Sequence, residues 1–177
     1  MKLLGFTIDR HFTGAAHTDA ITNKCNGLLG VLRRAAPNLP RELLRLAYIS
    51  LVRSHLEYAS AVLAPYSRTQ LDRLEVIQKI AARIIMGLPR DAHAVPLLHA
   101  LRLPPLETRR KEHVADLVGS TIAGLCRPAL LNYFRADGVG GVTADCEART
   151  GAGRKRFRYH GSLTYNECRS GRALGLP

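Results

Sequence analysis

A chain of 177 residues with 46% hydrophobic side chains can bury one modest core, which excludes a polypeptide disordered throughout. Its 26 Lys and Arg against 14 Asp and Glu leave a formal charge of +12, a balance suited to a polyanionic partner. No apolar run reaches the roughly 18 residues of a spanning helix and no secretory leader opens the chain, so an intracellular protein, nuclear or cytoplasmic and without a membrane partner, is expected.

Lys2 to Asp9, KLLGFTID, reads as one short strand that cannot be stable alone. From about Thr13, Ala20, Ile21, Cys25, Leu28, Leu29 and Leu32 repeat at helical spacing until Pro37, with Arg33 and Arg34 in the last turn, where the helix dipole favours cations. Pro40 suits a first helical turn, and Leu43, Leu44, Ala47, Tyr48, Leu51, Val52 and Leu56 extend a second helix to about Ser60.

Pro65 breaks that pattern. Ser67 and Gln70 have the spacing of a capping box that opens a third helix, closed by Gly87 and Pro89, and its twenty residues make a rod of about 30 Å. Leu71, Leu74, Ile77, Ala81, Ile84 and Ile85 form its apolar stripe, while Arg68, Arg73, Lys79 and Arg83 fall off it. A shorter apolar segment spans His93 to Leu103. Pro104-Pro105-Leu106 then begins another helix, with Leu106, Val114, Leu117, Val118, Ile122 and Leu125 on one side and Arg109, Arg110 and Lys111 in its first turns. Positive charge at a helix start opposes the dipole, so that triplet points to an external anion.

After Pro128 the periodicity fades. Glycines cluster at 138, 140 and 141, and residues 127–177 hold nine Lys and Arg against four Asp and Glu, the composition of a flexible basic tail.

Little in this chain points to chemistry. Two-metal catalysis on nucleic acid needs clustered carboxylates, and there is no Asp-Asp or Asp-x-Asp; Asp145-Cys146-Glu147 is the nearest approach. Cys25, Cys126, Cys146 and Cys168 form no CxxC pair and read as reduced structural thiols, with His160 too far from a ligand set to make a metal site. His55, His93, His99 and His113 read as packing or surface histidines rather than bases, and Tyr48, Tyr58 and Tyr66 as core or hinge aromatics.

The order of these motifs resembles the segment that follows the catalytic palm in reverse transcriptases of non-LTR, LINE-type (jockey-like) retrotransposons. Leu3-Leu4-Gly5-Phe6-Thr7-Ile8-Asp9 is similar to the family's YLGVxLD strand, and Asn26 to Arg34, NGLLGVLRR, to its NxxLGxLRR helix. Ala47 to Ser60, AYISLVRSHLEYAS, resembles AYxSLVRxxLEYAS. Leu74-Glu75 through Gln78 to Ala81-Ala82-Arg83 resembles LExVQRRAAR, and Pro96-Leu97-Leu98 and Leu106-Glu107-Thr108-Arg109-Arg110 continue the series as LLxxL and LExRR. The likeness covers residues 3 to about 118. Leu63 replaces the family's tryptophan in the VWxPY turn, Trp is absent throughout, and Arg172 to Pro177 is at best a remnant of the closing W-x-x-LP motif, features of a decayed or frame-shifted copy.

The resemblance implies a residual palm strand over residues 1–12, with Leu4 and Gly5 at a primer-grip-like position, a helical thumb-like connector over 13–126, and a poorly structured tail over 127–177. The fold expected is mainly α, a basic bundle of about four to five helices after one short strand. The family's catalytic (F/Y)-x-D-D strand precedes the LG strand, so the chain is expected to lack the catalytic aspartates and to be inactive in RNA-directed DNA synthesis by itself. No cofactor is expected here, Mg2+ belonging to the intact parent polymerase. The partners implied are an RNA/DNA template–primer, held without sequence preference, and the parent's palm and fingers. Arg68, Arg73, Lys79, Arg83, Arg109, Arg110 and Lys111 are the candidate backbone contacts. The alternative is a stand-alone basic helical module that binds a protein or a nucleic acid and has no enzymatic activity.

Overall fold

The computed structural model describes residues 2–10, 13–63, 66–126, 134–136, 141–144 and 157–170. Among them the chain is mainly helical, as its periodicity predicts, and it divides into two compact units: residues 1–58 with 67–106, and residues 59–66 with 107–177.

The first unit opens on a miniature hairpin rather than the single strand expected. β1 (Lys2–Leu3) and β2 (Phe6–Thr7) pair antiparallel, with Leu3 opposite Phe6. The chain reverses at Leu4 and Gly5, both at positive φ (46° and 83°), as in the primed turns whose twist suits a two-residue hairpin. Glycine adopts that φ freely and leucine does not, so a Leu-Gly pair escapes the usual Asn-Gly or Asp-Gly signal. The Tyr58 hydroxyl donates to the Leu4 carbonyl and ties the turn to the end of a later helix.

Asp9 prepares the first long helix. Its carboxylate accepts the Thr13 and Gly14 N–H groups at 2.9 and 2.8 Å, and α1 (Ala15–Ala35) follows with Ile21, Cys25, Leu29 and Leu32 buried. Cys25 is fully buried beside the Val52 carbonyl, and burial pushes its thiol up to about 11, which makes it a packing residue.

His17, 3% exposed, lies against the Phe6 ring at 3.9 Å, and its Nδ1 accepts the Thr7 N–H at 3.3 Å. Nδ1 must therefore be unprotonated. Nε2 is buried without a partner, and burial holds the imidazole below its ordinary value of 6.5. The unfolded chain thus binds the proton more readily than the folded one. The stability this site contributes is complete above pH 6.5 and is lost as pH falls through the lower folded value. Hydrogen exchange at Thr7, corrected for its intrinsic rate, should lose protection between pH 7 and 5 as the hairpin leaves α1; constant protection would contradict this.

One interrupted helix replaces the continuous second helix expected. α2 (Arg41–Ala47) widens into a π-helical stretch at Tyr48–Arg53 and resumes as α3 (Ser54–Glu57). It stops two or three residues before the expected end, because Tyr58 turns extended (ψ 131°) and Ala59 takes φ 53°; α4 (Ser60–Leu63) is a separate turn in the second unit.

α5 (Arg68–Met86) begins and ends where the sequence places it, but its start lacks the capping box: Ser67 occupies the N-cap without a side-chain hydrogen bond, and Gln70 accepts from Arg73 instead. At the other end Gly87 is left-handed (φ 67°), and the Leu88 N–H closes on the Arg83 carbonyl at 2.9 Å. α5 packs along α1 and against α6 (Ala94–Ala100), and the core of the unit is built around Leu56, Leu74, Ile77 and Ala81. A polar chain runs through it. The Tyr48 hydroxyl donates to Gln78 Oε1 at 2.9 Å, and Gln78 Nε2 donates to the Pro104 carbonyl at 2.9 Å, both side chains being fully buried. Glu75 accepts the N–H of Leu106, first residue of α7 (Leu106–Ile122), at 3.0 Å.

The second unit packs α7 against residues that sequence reasoning assigned to a poorly structured tail. Within 127–177 the described residues form β3 (Phe134–Ala136), paired antiparallel with β4 (Val142–Ala144), and the 13-residue α8 (Phe157–Arg169). The expectation therefore fails for these residues; the remainder of that segment lies outside the described ones. Val118, Phe134 and Tyr165 make the local core, and Gly161 gives α8 its close approach, since a Cβ there would lie 3.2 Å from Val118.

Candidate nucleic-acid interface

The solvent face of α5 is the best-formed candidate. At about 100° per residue, Arg68, Lys79 and Arg83 fall within about 60° of one another, opposite the buried stripe of Leu74, Ile77, Ala81 and Ile85, and span about 22 Å of helix axis. Arg73 lies off this line, toward α1, where it contacts Asp19 at 2.6 Å.

Acids temper the stripe. Arg68 and Asp72 approach to 3.5 Å, both well exposed, so the pair is weak and readily exchanged for a phosphate. Lys79 is half-buried and makes no ion pair or hydrogen bond among the described residues. Arg83 does structural work as well: its Nε donates to the Ala92 carbonyl at 2.8 Å and fixes the loop after α5, while its Nη groups keep their donors.

The α7 triplet behaves differently, and the inference of an external anion there is weakened. Arg109 meets Glu112 at 3.3 Å, and Lys111 lies 3.7 Å from Glu107 and 4.0 Å from Glu167. Arg110 is only 4% exposed, so its assignment as a backbone contact is corrected. The reason was in the spacing: Leu106, Arg110, Val114 and Val118 follow one another at i+4, which places Arg110 on the buried stripe. At the hairpin, Leu4 is 86% exposed and Gly5 lies under the Tyr58 ring, so the primer-grip-like position is an accessible turn.

Two arrangements relevant to chemistry complete the picture. Ser60 Oγ and His113 Nδ1 are 2.9 Å apart, a pair sequence distance concealed, but among the described residues no carboxylate orients the imidazole and Ser60 is 6% exposed. Among the described residues no three His, Cys, Asp or Glu side chains come together as a metal site requires; Asp145, Cys146 and Glu147 lie outside them. No helix among the described residues is long and apolar enough to cross a membrane. Compared with protein-family models, curated proteins and solved structures, the chain matches none.

Proposed function

We propose that this chain is the template–primer-gripping region of a LINE-type reverse transcriptase, a helical connector that holds the duplex through its phosphates and performs no chemistry itself. The observation that carries the proposal is the α5 stripe, Arg68, Lys79 and Arg83 aligned on a rigid helix whose opposite face is core. Rigid spacing suits a repeating polyanion, and a backbone-directed site reads no sequence. The ordered motifs from Leu3 to Arg110 and the absence of an Asp-Asp or Asp-x-Asp agree with it. A polymerase requires carboxylates held elsewhere, in the parent's palm, where Mg2+ would bind.

Lys79→Gln tests the assignment. Binding to an RNA–DNA hybrid should weaken about threefold to tenfold, equally for unrelated sequences, and the salt slope should shrink by about one. A loss confined to one sequence, or none at all, would contradict backbone gripping. A second reading, a protein-interaction module, is favoured by Leu43, Leu46 and Leu51, each about half exposed along the helix from Arg41 to Glu57. It predicts that hybrid binding is absent and that replacing those leucines with Gln abolishes a partner contact.

A further inference from the structure

We infer that a second anion site, distinct from the stripe although Arg83 belongs to both, lies at the adjoining C-terminal ends of α1 and α5, and that it takes the phosphate monoester of a nucleotide. Arg33, Arg83 and Arg90 line one groove there of about 630 Å3, whose apolar wall is supplied by Ile80, Ile84 and Leu88. That volume lies within the range of small-ligand sites.

Helix ends do not account for this much charge. A helix C-terminus carries about half a negative charge, and two carbonyls in the last turn of α5, those of Ile84 and Arg83, are already met by the N–H groups of Gly87 and Leu88. Among the described residues none of the three arginines has an ion pair, and Asp91, next to Arg90, makes none either. Three like charges around one groove repel one another, and an anion bound between them relieves that repulsion. The bond from Arg83 Nε to Ala92 fixes the plane of one guanidinium before any ligand arrives, so less freedom is lost on binding.

Charge selects among phosphates. An internal phosphodiester carries one negative charge, whereas a monoester carries about 1.5 to 2 at neutral pH and offers three terminal oxygens. Three arginines lining one groove therefore favour the monoester, and the apolar wall gives the nucleoside a surface that free phosphate cannot use. Two sources share this chemistry, a free mononucleotide and the 5′ end of a strand.

Calorimetric titration of the full chain with AMP, adenosine and inorganic phosphate at constant ionic strength tests the site. AMP should bind at least about tenfold tighter than either of the others, and Arg33→Gln/Arg90→Gln, at two exposed positions, should remove about tenfold of AMP affinity while changing hybrid binding by less than about threefold. Equal binding of AMP and adenosine, inorganic phosphate binding as tightly as AMP, or AMP affinity unchanged in the double variant would each overturn the inference. Fluorescence anisotropy with 5′-phosphorylated and 5′-hydroxyl oligonucleotides separates the sources: a preference for the phosphorylated strand assigns the groove to strand ends, and equal binding assigns it to free nucleotides. AMP binding without hybrid binding would remove the gripping proposal and leave this site standing; hybrid binding without AMP binding would do the reverse.

Discussion

Replacing Gln78 with Ala should lower the unfolding free energy by about 3 to 4 kcal/mol. Gln78 is fully buried and serves two neighbours at once, accepting from Tyr48 and donating to the Pro104 carbonyl. Truncation strands the buried Tyr48 phenol, takes the donor from the Pro104 carbonyl and leaves a cavity as well. Burial also pushes the Tyr48 phenol far above its ordinary range, so it cannot escape by ionising. Urea unfolding measures the loss. A Tyr48→Phe/Gln78→Leu double variant, which removes the donor along with its acceptor, should be less destabilised than Gln78→Ala; equal losses would show that shape rather than hydrogen bonding decides the site.

Glu57→Ala should cost about 3 kcal/mol by a different route. Arg53 and Glu57 meet at 2.7 Å, with side chains only 10% and 18% exposed, at the end of the π-helical stretch. Losing the carboxylate leaves a guanidinium buried without its counter-charge, and such a loss greatly exceeds the net worth of the intact pair. Arg53→Met/Glu57→Leu, which removes both charges, should recover most of the stability. If Glu57→Ala unfolds at the same urea concentration as the parent, the pair is solvated in solution and contributes nothing.

These two sites show where a sequence is readable and where it is not. The long helices were legible because Ile21, Cys25, Leu29 and Leu32, and then Leu74, Ile77, Ala81 and Ile85, repeat with the helical period, and because Gly87 marks a left-handed stop. The hairpin was not. Its turn uses Leu4 at positive φ, a choice sustained by a hydroxyl 54 positions away, which local propensity cannot register. The break at Ala59 is hidden in the same way.

The candidate interface was half legible. Charge on the solvent face of α5 follows from periodicity alone, whereas Arg73 is drawn to Asp19 on another helix and Arg83 to the Ala92 carbonyl by tertiary contacts. Arg110 reads as a surface contact by its charge, but the i+4 series from Leu106 to Val118 places it inside. Arg33 and Arg90 escaped for the opposite reason: each looks ordinary alone, and only folding brings them to one groove with Arg83. The described parts of residues 127–177 show how a glycine-rich composition can conceal structure when Gly161 is a contact rather than a hinge.

The gripping account stands most directly on the salt dependence of binding. Filter binding of the whole chain to an RNA–DNA hybrid between about 50 and 200 mM salt should give log affinity falling linearly with log salt, with a slope of about −2 to −3 for the two or three phosphates that Arg68, Lys79 and Arg83 can reach. No binding at the lowest salt, or an affinity that salt leaves unchanged, would contradict it.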